Sequence, residues 1–180
     1  MAIVEPIRDK KIIENIQDFL RKTKLRDYVL FCMGVNSGLR ISDILSLDVA
    51  DVKNKNYLKL CEKKTGKYKI VPLNKKLKNI LDIYTRNRAL NEPLFLTKYK
   101  NRMDRITAYR IINNACKKIN LEINIGTHTL RKTFGYHFYK KYKDVAMLQK
   151  ILNHSTPRIT MTYIGINDEE VWNCCEKFIL

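Results

Sequence analysis

The sequence predicts a mainly α-helical fold with one small antiparallel β-sheet, and three observations carry that expectation. Apolar residues recur at helical spacing along most of the chain, and the spacing gives way to short β-prone runs only between Val49 and Leu73. No internal repeat, low-complexity tract or Pro/Gly/Ser linker interrupts it. At 180 residues the chain is expected to form a single domain over 1–180. A domain of that size buries roughly 70% of the surface its unfolded form exposes.

Ile12, Ile13, Ile16, Phe19 and Leu20 form the stripe of a first amphipathic helix, and "LRDYVLFCMGVN" reads as a second, more apolar one that stops near Gly38. Ser42 and Asp43 read as the start of the next short helix, which puts Arg40 of "GLRISDILSL" at a corner between helices. Leu39, Ile41, Ile44, Leu45 and Leu47 crowd around it. An arginine is almost never fully buried unless it is paired. Asp43 is the one acidic candidate nearby, so the expected partner of Arg40 lies outside the protein. "DVKNKN" then supplies turn residues, and "YLKLCEKKTGKYKIVPL" gives two β-prone runs around Thr65-Gly66, a hairpin. Helical period returns with Leu77, Ile80, Leu81 and Tyr84. Further helices are expected over about 104–120, 127–142, 144–152, 156–163 and 168–179.

Lys and Arg number 35 against 18 Asp and Glu, a net charge of +17 with a pI near 9.7. That balance is the electrostatic footprint of a nucleic-acid binder, although membrane-surface and ribosome-associated proteins share it. The five cysteines, at 32, 61, 116, 174 and 175, are odd in number and include no C-x-x-C spacing. Neither a zinc site nor a disulfide framework is suggested, and no cofactor is expected. "MAIVEPIRDKK" lacks the apolar core of a signal peptide, and no apolar run approaches the ~18 residues that would span a bilayer. The expected setting is therefore soluble, reduced and cytoplasmic.

Three segments carry candidate chemistry. In "GTHTLRKTFGYHF", His128 and Arg131 are three apart, which on a helix places both on one face. An isolated H-x-x-R recurs by chance, and on its own reads more readily as a partly exposed histidine beside a solvated arginine. His137, next to Phe134 and Phe138, reads as structural. In "ILNHSTPRITMTYIGI" the apolar stripe of Val145, Leu148, Ile151 and Leu152 stops at Asn153-His154, and Ser155 reads as the cap of the next helix with Pro157 in its first turn. His154 would project from that junction and Tyr163 would end the second helix, roles that junction and rim residues also fill without chemistry. In "EKKTGK", Lys63, Lys64 and Lys67 flank the hairpin turn, either as a solvated charge run or as a tip able to enter a minor groove.

Together these parts meet the needs of one reaction, attack by a tyrosine on a DNA phosphodiester. Two equatorial phosphate oxygens call for planar bidentate donors, which Arg supplies better than Lys. A phenol with a pKa of about 10 costs about 4 kcal/mol to ionise at neutral pH unless a base or a positive field helps. The departing deoxyribose oxygen needs a proton donor.

The ordered set "GLRISDI", "KKTGK", "HTLR", "LNHS" and "MTYI" resembles the catalytic domain of the tyrosine recombinases, the phage-integrase and Xer-like family, from about residue 10 to the C-terminus. Each motif is short, and the ordered set is specific. The resemblance implies the fold of that DNA breaking-rejoining domain and an enzyme that needs neither metal nor ATP. It implies that Arg40, Arg131 and His154 bind the scissile phosphate, that His128 assists proton transfer, and that Tyr163 forms a 3′-phosphotyrosyl link. Lys64 matches the hairpin lysine that protonates the 5′-oxygen, with Lys63 and Lys67 as neighbours in register. Double-stranded DNA is the implied partner, in a nucleoid-associated setting.

Two departures stand out. The family usually has Gly before the second histidine where this chain has Asn153, a residue that tolerates left-handed backbone better than most. The family's N-terminal DNA-clamping domain is expected to be absent, either because the natural protein is minimal or because an upstream domain has been removed. "NDEEVWNCCEKFIL" reads as a tail helix over 168–179, capped by Asn167, with Val171, Cys174, Cys175 and Phe178 on one stripe. It either covers its own core or, as in the family, docks on a neighbouring protomer of a tetrameric synapse. Two alternatives accompany the recombinase reading: relaxation of DNA in the manner of a type IB topoisomerase, and a non-catalytic DNA-binding regulator.

Overall fold

The structure is a computed structural model that describes residues 4–62, 66, 68–121, 123, 125–126, 128–166, 175–176 and 178. Its order is α1 (Lys10–Thr23), α2 (Leu25–Ser37), α3 (Ile41–Ser46), α4 (Val49–Val52), β1 (Tyr57–Cys61), β2 (Tyr68–Pro72), α5 (Lys75–Thr85), α6 (Arg105–Lys118), α7 (Thr129–Tyr142), α8 (Val145–Leu152) and α9 (Pro157–Ile164). The expected class holds: helices dominate, and the described sheet is the antiparallel pair β1-β2.

Local chemistry explains most boundaries. Side-chain oxygens of Asp9, Asn74, Asp104 and Asp144 accept from backbone N–H groups in the first turns of α1, α5, α6 and α8, satisfying donors that have no partner inside the helix. The cap of α9 is Thr156, whose Oγ1 accepts from Ile159 N at 3.2 Å, and not the expected Ser155. The one-residue shift seats Pro157 at the helix start, where its missing N–H costs nothing. α7 begins at Thr129, with His128 as its N-cap residue. The expected tail helix over 168–179 lies almost wholly outside the described residues.

α2 is the buried spine. Val29, Leu30, Phe31, Cys32 and Met33 are fully enclosed, packed with Ile16, Ile44, Leu58, Leu77, Leu81 and Phe95 from surrounding elements. α7 packs on α2 so closely that a Cβ added at Gly34 would lie 2.3 Å from Leu130 Cδ1 and 2.7 Å from Leu130 Cβ. Overpacking of this kind costs about 1–3 kcal/mol. Gly34→Ala is therefore expected to lower the unfolding free energy by that amount, read as a lower urea midpoint with the slope unchanged.

The other side of α7 covers a second, smaller cluster formed by Leu148, Leu152, Ile164 and Ile166, against which Phe134, Phe138, Met161 and Tyr163 pack. The segment ahead of α1 lies across α7: Ile7 N donates to Thr133 Oγ1 at 2.9 Å, Lys132 Nζ to Val4 O at 2.7 Å, and Arg8 to Gly165 O at 3.1 Å. No helix among the described residues is long and apolar enough to cross a membrane.

Candidate active site

Arg40 is the residue at which α2's termination and α3's start meet. α2 ends at Gly38 in the left-handed region (φ +63°), where an added Cβ would strike the Phe134 ring at 2.6 Å. Arg40, extended at φ −70° and ψ 146°, is the N-cap residue of α3. Its partner was expected outside the protein, and the structure corrects this: Arg40 Nη1 lies 2.8 Å from Oε2 of Glu62, a carboxylate 1% exposed. Glu62 is far from Arg40 in sequence, and the packing of the β1 end against the α2-α3 corner brings the two together.

The β-register shows how. Leu58 pairs with Val71 and Leu60 with Lys69 on the inward face, while Tyr57, Lys59 and Cys61 pair outward with Pro72, Ile70 and Tyr68. Side chains alternate along a strand, so Glu62 continues the inward parity of Leu58 and Leu60, and Lys69 shares that of Val71. Lys69 Nζ donates to Ile151 O at 2.5 Å and lies 3.8 Å from Glu62 Oε1. Burial, helped by the charge of Arg131, pushes its pKa down to about 8, against the pull of Glu62. Both residues escape a motif search; the alternation with buried leucine and valine was the available signal. The candidates Lys63, Lys64 and Lys67 lie outside the described residues.

Arg131 stands in the first turns of α7, 3% exposed. Its Nη1 donates to Gly38 O at 2.7 Å, and its Nη2 donates to Leu152 O. One guanidinium thus pins the corner that carries Arg40 to the end of α8, from which His154 follows. Between them Asn153 adopts the left-handed conformation expected for it, φ 52° and ψ 49°, and its Nδ2 donates to Glu62 Oε2 at 3.0 Å. Arg40, Lys69 and Asn153 therefore converge on one carboxylate.

His154, His128 and Tyr163 close the site. The Tyr163 ring sits edge-on to His154, with centroids 4.9 Å apart. Its Oη lies 3.2 Å from His128 Nδ1, within reach for proton transfer, and Lys132 Nζ lies 5.3 Å from the ring centroid. Burial raises the Tyr163 pKa, while the charges of Arg131 and Arg40 pull it down. His137 instead meets Ile7 O at 3.0 Å, the structural place expected for it. No group of three or more His, Cys, Asp or Glu side chains able to hold a metal occurs among the described residues.

Burial, then the charges of Arg131 and Arg40, push His154 down to about 4. The imidazole is thus neutral at pH 7. The Thr160 hydroxyl lies 3.1 Å from His154 Nδ1 and 3.3 Å from Thr156 O. When its proton serves Nδ1, the ring hydrogen sits on Nε2, the tautomer able to donate to a phosphate oxygen. With a folded pKa below the usual value of about 6.5, the unfolded chain takes up a proton that the folded one refuses, and stability falls as pH drops through that window. In the DNA-free protein the His154 resonance is expected to titrate with a midpoint near 4, measured by NMR.

The sequence pattern of the phage integrase family matches residues 8–170. A probable integrase/recombinase, YoeC, of Bacillus subtilis is 49% identical over 170 residues, covering 94% of this chain and 93% of its own. The tyrosine recombinase XerA of Pyrococcus horikoshii is 29% identical over 85% of this chain, which spans 55% of that relative. Among solved structures, a XerA recombinase superposes with a TM-score of 0.80 at 20% identity, over 100% of this chain and 68% of the other. A lambda integrase dimer bound to a core site superposes at 0.75 and 17% identity, over 92% and 49%. The fold is that of the tyrosine recombinase catalytic domains. The chain belongs to the phage integrase family, whose function is site-specific DNA recombination.

Proposed function

We propose that this chain cleaves and rejoins double-stranded DNA through Tyr163, without metal or ATP, as the catalytic domain of a site-specific recombinase. The supporting observation is the meeting of nucleophile and clamp in one chain: Tyr163 Oη 3.2 Å from His128 Nδ1, with Arg131, Arg40 and His154 around it. Arg40, Arg131 and His154 bind the scissile phosphate and stabilise the negative charge that grows on its equatorial oxygens. The phenolic proton passes to His128 as the Tyr163 oxygen bonds to phosphorus. The bond from phosphorus to the 5′-oxygen breaks, and Lys64 supplies that oxygen with a proton. The resulting 3′-phosphotyrosyl ester keeps the bond energy of the phosphodiester, so attack by the 5′-hydroxyl of another strand restores DNA without a nucleotide cofactor. The positive charge of +17 suits a partner read mainly through its phosphates.

The reading extends to assembly: one catalytic domain over 1–180, joined to neighbouring copies in a tetrameric synapse through the tail at 168–179, in a nucleoid-associated, cytoplasmic setting. A nicked suicide duplex, whose short 5′ fragment diffuses away after cleavage, traps the adduct and tests the reading. A covalent Tyr163-dependent product on the duplex, together with strand exchange between paired sites, is expected. Relaxation of supercoiled plasmid without exchange would favour a topoisomerase, and binding without any adduct would favour a regulator.

A further inference from the structure

Glu62 stands out among the buried ionisable groups because the cleavage chemistry gives it no step. A carboxylate enclosed beside a phosphate-binding cluster opposes the incoming anion, so its presence needs a physical reason. Its contacts supply one. Oε2 accepts from Asn153 Nδ2 at 3.0 Å and pairs with Arg40 Nη1 at 2.8 Å, and Oε1 lies 3.8 Å from Lys69 Nζ. Those groups belong to the α2-α3 corner, to β2 and to the α8-α9 junction. Its backbone oxygen accepts from Gly66 N at 2.8 Å, which binds the hairpin turn to the same residue.

The charges around it are mostly of one sign. Arg131 from α7, Arg40 from the corner and Lys69 from β2 face one another, with His154 beside them, and Asp43 of α3 is the other acid acting on Lys69. Like charges gathered in a buried site repel unless a counter-charge is enclosed with them. We propose that Glu62 is a positioning residue for strand cleavage, the enclosed counter-charge that holds Arg40, Lys69 and the Asn153 turn in cleavage-ready geometry before DNA arrives. The proposal rests on the recombinase reading above, and Glu62 acts through its neighbours rather than on the DNA.

The test uses the full chain and the nicked suicide duplex at saturating DNA, with duplex affinity measured separately. Glu62→Gln keeps the size and one acceptor oxygen but removes the charge. It is expected to slow single-turnover adduct formation by about tenfold or more while duplex affinity stays within about threefold, because affinity is spread over many phosphate contacts. Glu62→Asp, shorter but charged, is expected to be at least about threefold faster than Glu62→Gln, since charge-assisted contacts are the stronger ones. A smaller loss in Glu62→Gln, an equal loss of affinity and rate, or an aspartate variant no better than glutamine overturns the proposal. Should Glu62→Gln fail to fold, Glu62→Gln/Lys69→Gln replaces it: recovered cooperative melting supports the counter-charge role, and continued unfolding overturns it. A wild-type chain that forms no adduct counts against the recombinase reading itself, whereas a wild-type adduct matched by Glu62→Gln counts against Glu62 alone.

Discussion

Tyr163→Phe is expected to bring the covalent DNA adduct below detection while leaving the fold and duplex binding intact. The substitution removes one oxygen and nothing else. That oxygen contacts His128 Nδ1 at 3.2 Å, and losing one such hydrogen bond costs about 0.5–1.5 kcal/mol of stability. The ring stays packed on the small cluster around Leu152 and Ile164 and edge-on to His154. Duplex affinity, carried by phosphate contacts spread over a strongly basic chain, has no reason to change. Denaturing gel electrophoresis after incubation with the suicide duplex reads the adduct. An adduct that persists in Tyr163→Phe would mean that another residue is the nucleophile.

Arg131→Ala is expected to fail in two ways at once, and the structure makes this different from an ordinary loss of a phosphate ligand. Removing one preorganised donor from a transition state costs about 10²–10³ in rate. Arg131 is also a structural tie, donating to Gly38 O and Leu152 O from a side chain 3% exposed. Alanine deprives both carbonyls of that donor, at roughly 1–3 kcal/mol each when buried. The expected result is a marked fall in the urea midpoint together with adduct formation slowed at least as much as by one lost donor. Arg131→Lys keeps a positive charge but cannot present the planar fork that reaches two carbonyls, so it is expected to recover only part of either loss. Wild-type stability in Arg131→Ala would show that the two carbonyls are satisfied without it.

The fold was legible because its signals are local. Helical period and capping residues lie within a few residues of what they determine, and α1, α2, α5, α6, α7, α8 and α9 fall where period placed them, with the start of α7 and the cap of α9 shifted by a residue or two, whereas the short α4 lies in a stretch that read as turn and strand. Asn153 was readable for the same reason, as a single residue's tolerance of left-handed backbone. The site was legible only in part. Arg40, His128, Arg131, His154 and Tyr163 come together as their motifs suggested, but Glu62 and Lys69 carry no motif. Their inward direction depends on the parity of a strand, and their meeting with Arg40 depends on how the hairpin packs on the helices. A search for Arg40's partner at helical spacing could not reach across that gap.

The unequal size of the two apolar clusters has an energetic meaning. Arg40 stands at the corner next to the end of α2, whose middle is fully buried, whereas His154 stands in the α8-α9 junction and Tyr163 on α9, which share a cluster of Leu148, Leu152, Ile164 and Ile166. Local opening follows the amount of apolar surface that must be exposed, so the two parts of the site need not open together. The half that carries Tyr163 is the one with the smaller apolar cluster. Its attachment to the spine runs through α7, the Arg131 tie and the segment at Val4–Arg8. Tyr163 thus stands on the part of the domain that has less apolar surface to expose on opening.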